Sequence, residues 1–320
     1  MSVDKWLRRL GHWRDYLTEY RWSLSPEVST HAPPSFELDP GELAKLTIRW
    51  PVEYEWPVAA NYLDDLRRGI STLARVEPAQ IPQHRNVVVI EAVYDGRTSE
   101  ITIDYSDITQ RVEWDRVEKS ALYFKMQYLA GGYGGEAEKI VPGGYVNGHS
   151  EVYKYAQHVR PLTGQPAHYE VYGRFGLQFA KEIRTRAVQM LNEQRSFQYE
   201  GSLRLVRYSR FLREVAQAKI CIDLPSNSPF CFRLIDYFAV GACVIGPRHE
   251  AVMHVPLQDR EHIVYTRPDL SDLIPLCEYY LHHHEERKRI QQSSRDYFEK
   301  YLHREQLGRY YLQQILRRVA

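Results

Sequence analysis

The sequence predicts an α/β chain of two domains, the second a parallel sheet with helices on both faces. Three observations carry this. At 320 residues the chain is long enough for two cores of ordinary size. From residue 168 onward, short apolar runs alternate with helical patterns, as in parallel strands joined by crossover helices. Residues 219–247 (KICIDLPSNSPFCFRLIDYFAVGACVIGP) read as a buried strand (Ile220, Cys221, Ile222), a turn of Pro, Ser and Asn, and a helix from near Phe230 to Gly241. A second apolar strand over 242–245 follows, which makes half of a parallel α/β unit.

In chain order, residues 1–17 place basic and aromatic side chains at helical spacing, without the apolar core of a signal peptide. Packing on the protein through Trp6, Leu10, Trp13 and Leu17 is favoured over lying on a membrane surface, because Asp4, Asp15 and Glu19 interrupt the basic face. Residues 23–42, rich in Pro and Ser, predict a loop. Strands are predicted over 46–50, 87–94, 101–105 and 121–126, with a helix over 59–73 between the first two. Glycine-rich segments at 130–138 and 141–148 lead to a junction near 159–166, which divides the chain into domains at 1–162 and 163–320. The second domain opens on the strand HYEVYGRFG, followed by a helix over 178–192, a strand over 197–200 and a helix over 208–218. Beyond the 219–247 segment come a strand over 262–265 and helices over most of 269–319.

With 42 basic and 41 acidic side chains the formal charge is +1, so no global field gathers nucleic acid or an anionic membrane. The 24 tyrosines suit partly wet surfaces and ligand clefts. Cys221, Cys231, Cys243 and Cys277 form no CxxC pair, and three sit in or beside apolar segments, as free buried thiols do. A reducing compartment, the cytoplasm, is expected. No apolar run approaches the roughly 20 residues that span a bilayer.

The turn over 225–229 leaves a strand's carboxyl end and feeds a helix start, where unpaired N–H groups and the positive dipole end attract an anion. Ser226, Asn227 and Ser228 can present N–H groups to phosphate or serve as N-caps, with Pro229 at the first helical position; the roles are compatible. Arg233 adds a fixed cation, and Asp236, on the same face, can accept sugar hydroxyls; the rival reading is an i,i+3 ion pair on a solvated face. An anion site beside a carboxylate suits a nucleotide diphosphate linked to a sugar. Arg174, between the glycines of YGRFG, is either a phosphate contact or part of an ordinary turn. Lys181 reads as helix surface, and Arg204 and Arg207 as solvated loop charges able to clamp a donor.

Three runs, YSRFLREVAQAKICIDLP, FRLIDYFAVGACVIG and DLIPLCEYYLHHHEERKRI, resemble in that order the nucleotide-sugar glycosyltransferases of the GT-B type, in the group 1 and exostosin-like branches. The resemblance covers about residues 169–302. It implies two Rossmann-like domains facing a cleft, and transfer of a hexosyl or related sugar from a nucleotide-diphosphate donor to an acceptor hydroxyl. A UDP-sugar is the expected donor, and no metal is expected. Under the resemblance, Asp236 takes the place of the acid that contacts the ribose and Arg233 that of the arginine facing the diphosphate. Arg174 stands first in a basic pair whose second member, Lys181, fits loosely. Ser228 replaces a further acid carried by many retaining members, which leaves inversion and retention both open.

In such a transferase the general base comes from the N-terminal half. Asp107, in the strand-ending cluster 104–107, is the expected base, although Asx residues also end strands for local reasons. His149 and His84 are reserves, and Lys125 either faces the cleft or points outward. His282, His283 and His284 are consecutive on a helix and cannot converge on one ion. Two rival functions stand beside the transferase: a non-catalytic nucleotide-sugar or partner-binding module of the same fold, and a glycosyltransferase acting on a polymer such as modified DNA. Near-zero net charge disfavours nucleic acid without excluding it, and the acceptor stays open between a small molecule, a glycan and a polymer.

Overall fold

The computed structural model describes residues 3–135, 137–201 and 206–320; Arg204 and the side chains of Trp6 and Leu10 lie outside what it describes. Helices α1 (Val3–Ser23) and α2 (Pro40–Ala44) precede the first sheet. There β1 (Leu46–Pro51), α3 (Ala60–Ser71) and β2 (Arg75–Ala79) form a parallel crossover unit. β3 (Val87–Tyr94) and β4 (Arg97–Asp104) then form an antiparallel hairpin. Its turn is Asp95-Gly96, with φ of 50° and 79°, the left-handed geometry that matches the twist of paired strands. α4 (Trp114–Lys119), β5 (Leu122–Lys125) and β6 (Ile140–Pro142) complete a six-stranded sheet of order β2-β1-β3-β4-β5-β6. Every strand except β3 runs the same way, so this half is a Rossmann-like layer with one reversed strand.

α5 (Val152–Val159) leads through a 3₁₀ turn, Arg160–Gly164, into the second sheet; the sequence division after residue 162 falls in that turn. β7 (Tyr169–Tyr172), α6 (Lys181–Glu193), β8 (Tyr199–Glu200), α7 (Tyr208–Ala216), β9 (Ala218–Ile222), α8 (Phe232–Val240), β10 (Val244–Pro247) and β11 (Val264–Thr266) follow. The sheet is wholly parallel, of order β11-β10-β9-β7-β8. Period-two alternation sends Cys221 and Val244 into the core shared with α7 and α8, and Ile220, Ile222 and Ile245 into the core under α6 and the later helix α9 (Leu273–His282). Gly241, at φ 90°, ends α8 in the left-handed C-cap that glycine adopts without strain. Each half is thus built on its own sheet, as the GT-B layout expects.

The chain ends tie the halves together. After α10 (His284–Tyr297) and a π-helical turn (Phe298–Leu302), α11 (Arg304–Val319) crosses back onto the first half. It meets α3 at glycines: a Cβ on Gly69 would lie 2.0 Å from the Arg304 carbonyl oxygen, and one on Gly308 2.6 Å from the Gly69 carbonyl carbon. Tyr311 stacks on Phe124 of β5, ring centroids 3.9 Å apart, and the Tyr310 hydroxyl donates to the Pro142 carbonyl at 2.6 Å.

In the other direction α1 packs on α5 and α7. Here the expected packing face is corrected: Trp13 and Leu17 are exposed, and the buried face carries Asp15 and Glu19. The reason is electrostatic. Asp15 accepts from Arg213 at 2.6 Å, and Glu19 accepts from Arg207 at 2.7 Å and from the Ser209 N–H at 3.2 Å. Ionic partners on α7 thus fix the rotation of α1.

Candidate functional site

The order of the second sheet reverses between β7 and β9: from β7 the chain steps to β8 on one side, then to β9, β10 and β11 on the other. Loops leaving the carboxyl ends of β7 and β9 therefore diverge, and a crevice opens between them. A cavity of about 560 Å³ lies there, walled by Arg174, Phe175, Tyr208, Phe232, Arg233 and Asp236, with His149 entering from the first half. The structure thus brings Arg174, Arg233 and Asp236 together. Arg184 of α6, which the sequence reading passed over, holds the two loops by donating to the Gly176 carbonyl at 2.7 Å and the Pro225 carbonyl at 2.8 Å.

α8 begins at Phe232, with Cys231 at its N-cap and no side-chain cap. Ser226, Asn227, Ser228 and Pro229 lie upstream, which corrects their reading as helix caps. Ser226 to Ser228 line a neighbouring cavity of about 320 Å³, together with Arg248 and His249. The N–H of Phe230 is already taken by Gln127 Oε1 at 3.2 Å, and Gln127 Nε2 donates to the Phe230 carbonyl at 3.1 Å. The uncapped N–H groups that remain, of Phe232 and Arg233, start the helix at the larger cavity.

Arg233 is nearly buried, with its guanidinium 4.8 Å from the Phe175 ring centroid. Its Nη2 donates to the Leu224 carbonyl at 2.7 Å and to Asp223 Oδ1 at 3.2 Å, while its buried Nε–H has no partner among the described residues. Burial would raise the Asp223 carboxyl, but His249, 3.4 Å away, and Arg233 pull it below the ordinary range. Asp223 is therefore a fixed anion that clamps Arg233 from behind.

Asp236 is almost wholly buried and accepts from the Tyr208 hydroxyl at 2.6 Å. Burial pushes its carboxyl up to about 7, against the opposing pull of Tyr208 and Arg233. Tyr208 in turn lies against His149, ring centroids 4.2 Å apart. The i,i+3 ion pair weighed for Arg233 and Asp236 does not form; each has its own partner.

Arg174 meets two carboxylates, Glu214 at 2.7 Å and Glu200 at 3.2 Å, and Glu214 also receives Arg210 at 2.8 Å. Much of its charge is met inside the protein. Lys181 is exposed at the start of α6, and Arg207 is engaged with Glu19.

From the first half, Asp107 follows β4, and its carboxylate faces the hydroxyl of Ser228, a wall of the smaller cavity rather than of the larger one. Burial raises that carboxyl, with Ser228 and Lys125 opposing. Tyr62 and Tyr145 lie beside it. Asp104 and Lys125 take neither of the places foreseen for Lys125: both are fully buried, 3.1 Å apart. Asp104 also accepts from Tyr123 at 2.6 Å and Lys125 donates to Ser106 at 2.7 Å, so the pair braces the strand ends behind Asp107. His84 is exposed and bonded to Arg116, away from the cleft. His282, His283 and His284 straddle the break between α9 and α10, exposed, with His283 stacked on Tyr279. Among the described residues no three His, Cys, Asp or Glu side chains gather at metal-binding distance.

Residues 157–315, which hold every wall of the larger cavity except His149, match the family model described as glycosyl transferase-like. Those residues, about half of the chain, are similar to that family. Among solved structures, a glycosyltransferase from Rickettsia africae is similar at 11% identity over 61% of this chain and 62% of its own, with a TM-score of 0.39. The C-terminal domain of a group 1 glycosyl transferase from Francisella tularensis is similar at 13% identity over 45% of this chain and 90% of its own, with a TM-score of 0.30. The chain thus spans less than two thirds of the Rickettsia protein's length. No curated protein matches the sequence. In an open parallel sheet, the crevice beyond the carboxyl ends of β7 and β9 is where a ligand binds. No described helix of the chain is long and apolar enough to cross a membrane.

Proposed function

We propose that the chain transfers a sugar from a nucleotide-diphosphate donor, a UDP-sugar first among the candidates, to an acceptor hydroxyl. The observation that supports this best is the meeting, in one cavity of about 560 Å³, of an uncapped helix start, a buried Arg233 Nε–H without a partner among the described residues, and the Asp236 carboxylate. The volume is that of an ordinary small-ligand site. The donor's diphosphate would lie at the N–H groups of Phe232 and Arg233, one helical turn beyond the serine loop first expected to hold it. Asp236 would accept the ribose hydroxyls, and the rings of Phe211 and Tyr208 on the wall offer faces for the base.

The acceptor would enter from the first half. Asp107 takes the proton of its hydroxyl as the oxygen attacks the anomeric carbon, and the bond from that carbon to the phosphate oxygen breaks. The electron pair leaves on the diphosphate, whose charge is met by the helix start and Arg233 without need of a metal. A base whose carboxyl is raised by burial accepts a proton more readily than a solvated one.

Calorimetric titration with UDP, GDP, TDP and ADP tests the donor site. Arg233→Ala should weaken the preferred nucleotide at least fivefold, and Asp236→Asn should erode discrimination between ribose and deoxyribose forms. Unchanged affinity in both variants would move the donor elsewhere. Asp107→Asn should keep nucleotide affinity and lose turnover by about 10²-fold or more. Nucleotide binding with no hydrolysis or transfer from any sugar donor would favour the non-catalytic module.

A further inference from the structure

The geometry points to the outer face of α1 as a docking surface for an anionic lipid bilayer, a property independent of the sugar-transfer reading. Trp13 is 65% exposed, Tyr16 47%, Leu17 55%, Tyr20 57% and, just past the helix end, Leu24 70%. Their spacing puts them on one side of the helix, so they form a continuous apolar stripe rather than scattered exposures. On a helix that packs on a protein this arrangement is inverted: the acids Asp15 and Glu19 face inward, and the large apolar groups face out.

Charge identifies the occupant. The charged side chains exposed on residues 13–24 are Arg14 and Arg21, and neither forms an ion pair among the described residues. Both acids of this stretch are neutralised by α7, Asp15 by Arg213 and Arg210, Glu19 by Arg207. Over residues 13–24 the face therefore presents apolar and aromatic bulk edged by cations, with no exposed acid to repel a phosphate headgroup. Trp and Tyr, with apolar bodies and polar tips, settle at the boundary between headgroup and acyl chain, and exposed arginines add attraction to anionic lipid. A second copy is the poorer fit: two such faces would bring Arg14 and Arg21 toward their like, with no acid to offset them.

Co-sedimentation of the full chain with phosphatidylcholine vesicles, and with vesicles carrying one quarter phosphatidylglycerol, tests the proposal. The bound fraction should be at least fivefold higher on the anionic vesicles and should fall in 0.5 M salt. Trp13→Glu with Leu17→Glu should lower it at least tenfold, and Arg14→Glu with Arg21→Glu should abolish the lipid preference. These side chains are exposed, so both double variants should keep the parent melting temperature and the parent response to nucleotide. Absence of binding to anionic vesicles, or binding untouched by the double variants, overturns the proposal. A concentration-dependent dimer that Trp13→Glu with Leu17→Glu dissolves, without vesicle binding, assigns the face to a second copy instead.

Discussion

Burial gives Asp236 a pH signature that folding stability can report. Its folded carboxyl titrates at about 7, above the ordinary value near 3.8 that an unfolded chain shows. Below about pH 4 both states hold the proton and its contribution to stability is fully present. As pH rises the unfolded chain ionises first, so stability falls by up to about 1.4 kcal/mol per pH unit until pH 7, then levels off. Asp236→Asn removes this slope. Urea titrations at pH 5, 6, 7 and 8 should show the variant gaining on the parent up to pH 7 and holding that gain above it. A pH-independent difference would mean an ordinary carboxyl at this position. Arg233 and Asp236 were legible because one local motif supplies strand, turn and helix face together. The clamp on Arg233 was partly hidden, for Asp223 is ten residues away but His249 belongs to the next strand's exit. The carboxylates that meet Arg174 were not legible at all: Glu214 stands 40 residues on, and only the sheet order brings it back.

At the scale of elements, the α3–α11 crossing rests on two glycines set face to face. Adding one methyl at Gly69 drives it into the Arg304 backbone, which has no side-chain freedom to yield. Gly69→Ala should cost about 1–3 kcal/mol in urea denaturation, as overpacking does. Gly131→Ala, where a Cβ meets nothing within 4 Å, is the control and should change little. Equal effects at both sites would mean that the helices slide apart freely. The strands with strong apolar runs were readable in sequence, and so were α3, α6, α7 and α8; the short helices α4 and α5 were not foreseen. The two strands that escaped, Arg75–Ala79 and Ile140–Pro142, lie at the two edges of the first sheet. An edge strand pairs on one side only and tolerates proline, so RVEPA and IVP carry little of the usual signal. The reversal of β3 was written in Asp95-Gly96, a two-residue hairpin turn that the reading of separate strands overlooked.

Over the whole molecule, each half is completed by a helix from the far end of the chain, α1 on the second and α11 on the first. Gln127 adds a direct bond across the cleft by pairing both backbone groups of Phe230. Heat should therefore unfold the protein in one calorimetric transition whose van't Hoff and measured enthalpies agree. Two resolved transitions would show halves that stand alone. Gln127→Ala, which strands a buried N–H and carbonyl, should lower the melting temperature while leaving the folded content unchanged.

The return of α11 also sets a clock on the protein's birth. The sheet of the first half is fully synthesised once Pro142 has been added, yet the helix that covers one of its faces ends at Val319. At roughly 5–20 residues per second, that face waits on the order of 10–40 s for its cover. Through that interval Phe124, on which Tyr311 of α11 stacks in the finished protein, lies on a surface still awaiting its last layer. A nascent chain stalled after residue 142 should accordingly be a preferred client of the chaperones that wait at the ribosome's exit.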